Sequence, residues 1–480
     1  MAKGMEFPLV GGAYQSRSLK LDAQRCVNFF PVLGESGTAK AVSALFGTPG
    51  LRRLVTLPGA GGIRAVYPPT SGAAIVVRGS SVYRVAADWS YALVGAIDDA
   101  GTPVSIADDG TTAVLVTGAH GYTLDLGTNV LAPITDGAFY GADYVYYDKT
   151  VFIFNQPGTA RFYLTTGSGV HFDALDYASA SSNAEPVVRH LVNNEELVLF
   201  KRTSAELWRA VAGGDFLFMR DTNAAIEKGC EAPHSAVNMD NTVYWLGGDK
   251  DGGGIVWKLN GYTPTRVSHA GVERAIQNYA RTDDARAYSY QQEGHTFYVL
   301  SFPSAGATWS YDVATGLWHE RAYLDPATGH FTRHRSICHM RYAGVHVVGD
   351  WEDGRLYALD LDYYTDDGDP LVALRSSPHI SGVGNNEIRY NRLRLDLETG
   401  VGTVDGQGAD PTLMLRWSND GGRTWPGAQN LRMGRIGEYA RRVQTDRLGT
   451  ARDRVFEVAI SDPVKRVILG ATVDAVDLGR

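Results

Sequence analysis

Seven times between residues 73 and 362 the chain repeats one short pattern: a β-branched or aromatic run, a turn, and a second run rich in aromatics. "AAIVVRGSSVYRVA" (residues 73–86) is the first instance and "TAVLVTGAHGYTLDLGT" (112–128) the second. The others occupy residues 149–165, 196–213, 241–261, 295–321 and 345–362. Successive starts fall roughly 35 to 55 residues apart, the period of a four-stranded propeller blade. A lone hairpin cannot bury both of its faces, whereas hairpins stacked around a ring cover one another. Each hairpin is expected as the inner pair of a blade, with weaker strands between hairpins as the outer pair. Seven hairpins imply six or seven blades, since terminal strands can share one. Two stacked β-sandwiches give similar patterning and remain the alternative arrangement.

The expected fold class is all-β: a six- or seven-bladed β-propeller over residues 61–372, a C-terminal β-sandwich over 373–480, and an extended N-terminal arm over 1–60. At 480 residues the chain exceeds what one hydrophobic core usually organises. Helical periodicity is confined to "GVERAIQNYA" (271–280). Beyond "DDGDPLVALRSSPHI" (366–380) strict alternation takes over, and Phe456, Val458 and Ile460 share one face of a strand. "FFPVLGESGTAKAVSALFGTPGL" (29–51) is punctuated by Gly and Pro, which fits an extended arm better than a domain.

"WSNDGGRTW" carries Ser418-x-Asp420-x-Gly422-x-x-Trp425, the spacing of an Asp-box, a motif of sialidase blades. Sialidases repeat the box at blade intervals; here there is one, and it falls in the expected sandwich. The residues themselves describe a turn. Gly421 and Gly422 take positive φ without steric cost, and Ser418 and Asp420 accept from backbone N–H groups. Trp425 covers the hairpin with an apolar face. Ser418, Asp420, Gly422 and Trp425 are therefore expected to be structural. No catalytic, cofactor-binding or metal-binding residue is expected. No P-loop, nucleophile elbow or dinucleotide fingerprint occurs, and "GGDKDGGG" (247–254) joins two strands as a hairpin.

Two clusters hold the residue types of a metal centre. His330, His334, Cys338, His339 and His346 lie within "GHFTRHRSICHMRYAGVH" (329–346). On a strand His334 and Cys338 share a face while His339 points away, and the tight pairings of a zinc site are missing. "DWEDGRLYALDLDYYTDDGD" (350–369) is the densest acidic stretch, but it lacks the register of a calcium loop. Its acids are expected to be solvent-facing turn residues, a weak cation site being the alternative. Cys26, Cys230 and Cys338 are too far apart for a CxxC site and too few for a disulfide framework.

The net charge of −8 argues against a surface that grips nucleic acid everywhere. Residues 373–480 carry 16 Arg or Lys against 13 Asp or Glu, a surplus of 3, which leaves −11 to the first 372 residues. The run 432–454 is the most basic stretch, expected to be a solvated or subunit-facing strand pair, with a phosphate contact as the alternative. No run has the ~20 apolar residues of a membrane-crossing helix. "MAKGMEFPLVGG" lacks the apolar core of a signal peptide, so the chain is expected to be made and kept in the cytoplasm.

Several stretches resemble the tail-hub family of short-tailed bacteriophages, the packaged-DNA stabilisation proteins. "QRCVNFFP" (24–31) with "LFGTPGL" (45–51) resembles that family's N-terminal arm. Residues 196–213, "IEKGCEAP" (226–233) and 294–321 resemble its central segment, and "LRWSNDGGRTW" (415–425) with 454–473 its terminal sandwich. The resemblance implies a structural virion protein of the tail, a homo-hexameric ring forming a nozzle below the portal-adaptor ring. Such a ring retains packaged double-stranded DNA, conducts it at ejection without sequence-specific binding, and carries tail fibre, spike or plug proteins. The alternative function is a glycan-active β-propeller, either a sialidase-like hydrolase or a carbohydrate-binding module.

Overall fold

A computed structural model describes residues 5–479 apart from 35, 37, 100, 168 and 215. Residues 1–4 of the expected arm and residue 480 of the expected sandwich lie outside the described residues. All seven hairpins close as antiparallel pairs, each in its own sheet, and the seven sheets form the blades of a propeller. Blades I to VI are contiguous in sequence, from Ile63–Tyr67 to Leu317–Glu320. Blade VII joins Ser336–Tyr342, Val345–Asp350 and Arg355–Asp360 to Gly50–Thr56, a strand from the other end of the chain.

The hairpins are the second and third strands of their blades, not the inner pair. The innermost strand is the one before each hairpin: Ile63–Tyr67, Ser105–Asp108, Val145–Asp148, Arg189–Asn193, Val237–Met239, Arg286–Gln292 and Ser336–Tyr342. Middle strands are covered by a blade on each face and so read as continuous apolar runs. In blade II, Ala113 and Leu115 pack with Ile75 and Val77 of blade I, while Val114 and Val116 pack with Phe152 and Phe154 of blade III. Six such interfaces follow in order, and a seventh, in which Val347 and Leu356 meet Val76 and Val85, closes the ring. At that seam Gly62 must lack a side chain, because a Cβ there would lie 2.0 Å from the carbonyl oxygen of Trp351. Helix α1 (Ala270–Gln277) bridges blades V and VI, burying Val272 and Ile276 and capped by His269, whose Nδ1 accepts from Gly271 N at 3.2 Å.

The sandwich draws strands from both ends of the chain. One sheet pairs Ile388–Leu397 and Val467–Asp477 with Val443–Asp446, Met5–Phe7, Ser43–Gly47 and, beyond it, Phe29–Leu33. The other runs Cys26–Val27, Ala373–Ser376, Asp453–Ile460, Thr412–Ser418, Gln429–Arg432. Phe456, Val458 and Ile460 do share the core, and Phe7, Leu9, Phe29 and Leu45 pack with them. The N-terminal segment is extended, as expected. Its strands pair with other segments of the same chain, the last of them inside the propeller. A single parallel register, Glu320 with Val27, joins blade VI to the sandwich, beside an Arg25–Glu320 ion pair at 2.7 Å.

Candidate functional site

The Asp-box closes on itself. Strands Thr412–Ser418 and Gln429–Arg432 pair, and the loop between them is organised by two side chains. The buried Ser418 hydroxyl donates to Asp420 Oδ1 at 2.5 Å and accepts from Gly422 N at 2.8 Å. Asp420 Oδ1 also accepts from the backbone N–H groups of Arg423 and Thr424, both at 3.0 Å, and Oδ2 from the Thr424 hydroxyl at 2.6 Å. The Ser418 hydroxyl, with Thr424, holds the Asp420 carboxyl well below the usual carboxylate range. Trp425 Nε1 returns to Gly422 O at 3.1 Å. The side-chain polar atoms of Ser418, Asp420 and Trp425 all bond within the loop. Gly422 has φ +87°, and a Cβ there would sit 3.1 Å from Ala23 Cβ. Gly422→Val is therefore expected to cost about 2–3 kcal/mol, from a left-handed β-branched residue and a forced shift of Ala23. Thermal unfolding followed by tryptophan fluorescence reads this out; a midpoint equal to the parent's contradicts it.

The acidic stretch is not solvent-facing as a whole. Asp350 is buried and accepts from Arg335 Nε and Tyr357 Oη, both at 2.7 Å. Asp360 pairs with Arg52 at 2.8 Å, Asp367 with Arg53 and Arg355, and Asp369 accepts from Tyr323 Oη at 2.7 Å. Asp366 is buried at the junction with the sandwich, and burial pushes its carboxyl up to about 7. Arginines from the N-terminal strand and blade VII neutralise most of what reads in sequence as an exposed acidic patch.

The histidine cluster is dispersed. His334 is buried and bonds Ser336 Oγ at 2.6 Å; His339 and His346 contact each other at 3.1 Å. His330 is exposed and Cys338 packs against blade I. Among the described residues no group of three or more His, Cys, Asp or Glu is placed to hold a metal. The basic run is not a strand pair: Gln429–Arg432 and Val443–Asp446 belong to opposite sheets, and the segment crosses the sandwich edge. Arg454 is buried, stacked 4.2 Å over the Tyr390 ring, while Ile436 and Tyr439, in the segment that links the two strands, are exposed.

A site unforeseen in the sequence lies on the propeller axis. All seven innermost strands line a cavity of about 480 Å³. Arg64, Arg189 and Arg286 stand at the heads of the innermost strands of blades I, IV and VI, with Tyr144 just before that of blade III. Arg64 is buried and fixed by the carbonyls of Thr102 at 2.7 Å, Gly79 at 2.8 Å and Asp98 at 2.7 Å. Arg189 lies 4.1 Å over the Tyr144 ring. Burial, then the charges of Arg189 and Arg286, hold the His234 imidazole far below its ordinary value, so it is neutral. Burial likewise pushes the Cys338 thiol up to about 12, which leaves it unreactive as a nucleophile.

Among solved structures the chain is similar to the N-terminal domain of Nup159, at 10% identity over 66% of this chain and 95% of that one, with a TM-score of 0.40. It is similar to a chain of the mitotic checkpoint complex at 12% identity, over 65% of this chain and 94% of that one, TM-score 0.40. A third is the extracellular domain of BT4673 from B. thetaiotaomicron, at 8% identity over 88% of this chain and 58% of that one, TM-score 0.41. Likenesses this distant carry no functional argument. No curated protein sequence matches. Family models do match, in tandem: the β-propeller of bacteriophage P22 Gp10 over residues 5–364 and its β-sandwich over 379–476. The first match takes in Gly50–Thr56, the N-terminal strand that completes blade VII, together with the earlier N-terminal strands that pair in the sandwich sheets. With both domains matched across nearly the whole length, the chain belongs to the bacteriophage P22 Gp10 family of structural phage tail proteins that stabilise packaged DNA.

Proposed function

We propose that the protein is the hub or nozzle of the tail. Six copies form a closed ring below the portal-adaptor ring, retain the packaged genome, and conduct it outward at ejection. The observation that carries this reading is the pair of tandem family matches, propeller then sandwich. Physical arguments support it. The axial cavity, about 480 Å³, has the volume of a small-molecule pocket. Duplex DNA, whose major groove alone is ~12 Å wide, does not pass through it. The DNA path is therefore a space enclosed between copies. The net charge of −8 suits such a conduit, since phosphate-binding Lys and Arg along the wall would hold DNA in place. Exposed Ile436 and Tyr439, flanked by Arg435, Arg441 and Arg442, are where a neighbouring copy or a fibre, spike or plug protein is expected to dock.

On this reading Ser418, Asp420, Gly422 and Trp425 hold a loop and no residue is catalytic. Assembly takes place in the host cytoplasm. Particles assembled without this chain are expected to package DNA and then lose it, and purified protein added back before leakage should restore retention. Particles that keep their DNA equally well without the chain would overturn the proposal.

A further inference from the structure

The axial cavity is built to receive negative charge. Arg64, Arg189 and Arg286 come from three blades, and the common direction of the innermost strands puts them on one level. No carboxylate lines the cavity among the described residues. The nearest counter-charges are engaged or outside it. Asp99 is half exposed and 3.8 Å from Arg64 Nη1; Asp284, outside the cavity lining, accepts from the backbone N–H and hydroxyl of Ser304 on Oδ2, while its Oδ1 has no hydrogen-bond partner and its charge acts on Arg286. Three guanidiniums facing one small space repel one another, and burial removes the water that would screen them.

Buried polar groups in folded proteins almost always have a hydrogen-bond partner. Here three do not: Arg64 Nη2, Arg189 Nε and Tyr144 Oη, on side chains that line this one cavity. Arg64 and Tyr144 are 8% and 3% exposed, so bulk water does not satisfy them. Arg286 has neither a side-chain hydrogen bond nor an ion pair among the described residues. Four groups from four blades thus converge with unused donors. A second cavity of about 400 Å³ adjoins this one through Pro103, Tyr144 and His234. Its carboxylates are already occupied: Asp143 by Asn155, Glu231 by Gly254 N and Thr282, Asp283 by Arg281.

We propose that the axial cavity binds a small oxyanion, a phosphate or the carboxylate of an acidic sugar, held by Arg64, Arg189 and Arg286 with Tyr144 donating from the side. Guanidinium forks match both groups, and the neutral His234 adds a donor or acceptor for the rest of the ligand. The inference does not rest on the tail reading, since it concerns a space too small for duplex DNA.

Calorimetric titration of the full chain with sodium phosphate and with sodium glucuronate, against sodium chloride at matched ionic strength, tests it. Saturable binding of at least one oxyanion is expected, with no saturable response to chloride. Phosphate alone would identify a phosphate ligand, and glucuronate alone an acidic sugar. Arg286→Gln and Arg189→Gln should each weaken binding about tenfold or more, and Tyr144→Phe a few-fold. Arg286→Lys keeps the charge and should retain binding to within about tenfold, which separates loss of a ligand from loss of the fold. Absence of saturable binding by either oxyanion would overturn the proposal, and so would binding unchanged in both glutamine variants.

Discussion

Removal of residues 1–56 is expected to abolish soluble folding. The deletion takes Gly50–Thr56 from blade VII, leaving Arg355–Asp360 as a bare edge next to the seam that closes the ring. It also takes Met5–Phe7, Phe29–Leu33 and Ser43–Gly47 from one sandwich sheet and Cys26–Val27 from the other. Phe7, Leu9, Phe29 and Leu45 leave the sandwich core with them. At about 1.5–3 kcal/mol for each buried apolar side chain, these four alone approach the whole stability of an ordinary domain, about 5–15 kcal/mol. Unpaired, apolar strand edges then favour aggregation. Size-exclusion chromatography and circular dichroism of the truncated chain test this directly. An arm that ordered only on a neighbouring subunit would be dispensable here, so a soluble, cooperatively unfolding truncation contradicts the fold described.

Asn28→Ala is expected to destabilise the protein by about 3–5 kcal/mol. Asn28 is buried, with φ 52°, a conformation Asn tolerates and Ala does not favour. Its Nδ2 donates to the carbonyls of Ala322 and Val372, both at 2.8 Å, and its Oδ1 accepts from Ala322 N at 2.9 Å. One side chain therefore ties the N-terminal segment to the end of blade VI and to the linker into the sandwich. Alanine would strand one N–H and two carbonyls away from water, each costing about 1–3 kcal/mol before relaxation. Urea unfolding gives the difference; a loss below about 1 kcal/mol would mean that Asn28 does not hold the junction.

The blades were readable in the sequence because their middle strands are buried on both faces, and burial imposes apolar runs such as "AIVVR" and "VFIFN". Innermost strands carry no such signal. They are short, polar where they meet the cavity, and easily mistaken for the outer strands of the preceding hairpin. Closure of blade VII was out of reach for a different reason. Gly50–Thr56 pairs with a strand some 300 residues later, and nothing local marks which edge a strand will join. Alternation marked the C-terminal strands of the sandwich, but its N-terminal strands lie behind Gly and Pro punctuation that reads as a loop.

The same limit governs the sites. Ser418, Asp420, Gly422 and Trp425 are close in sequence and form the loop their spacing implies. Acids at 350–369 are equally close, yet their partners Arg52, Arg53 and Arg335 are not, so the stretch looked more exposed than it is. Arg64, Arg189 and Arg286 are separated by more than 90 residues at each step. Each stands seven to nine residues ahead of its hairpin, and superposing the blades on their hairpins would have brought them into view.

Position on the virus particle decides whether this chain builds the tail nozzle proposed for it. Electron microscopy of purified particles labelled with antibody against this chain should place it in a six-fold ring at the distal end of a short tail. Label confined to peripheral fibres, or absent from particles altogether, would contradict the claim.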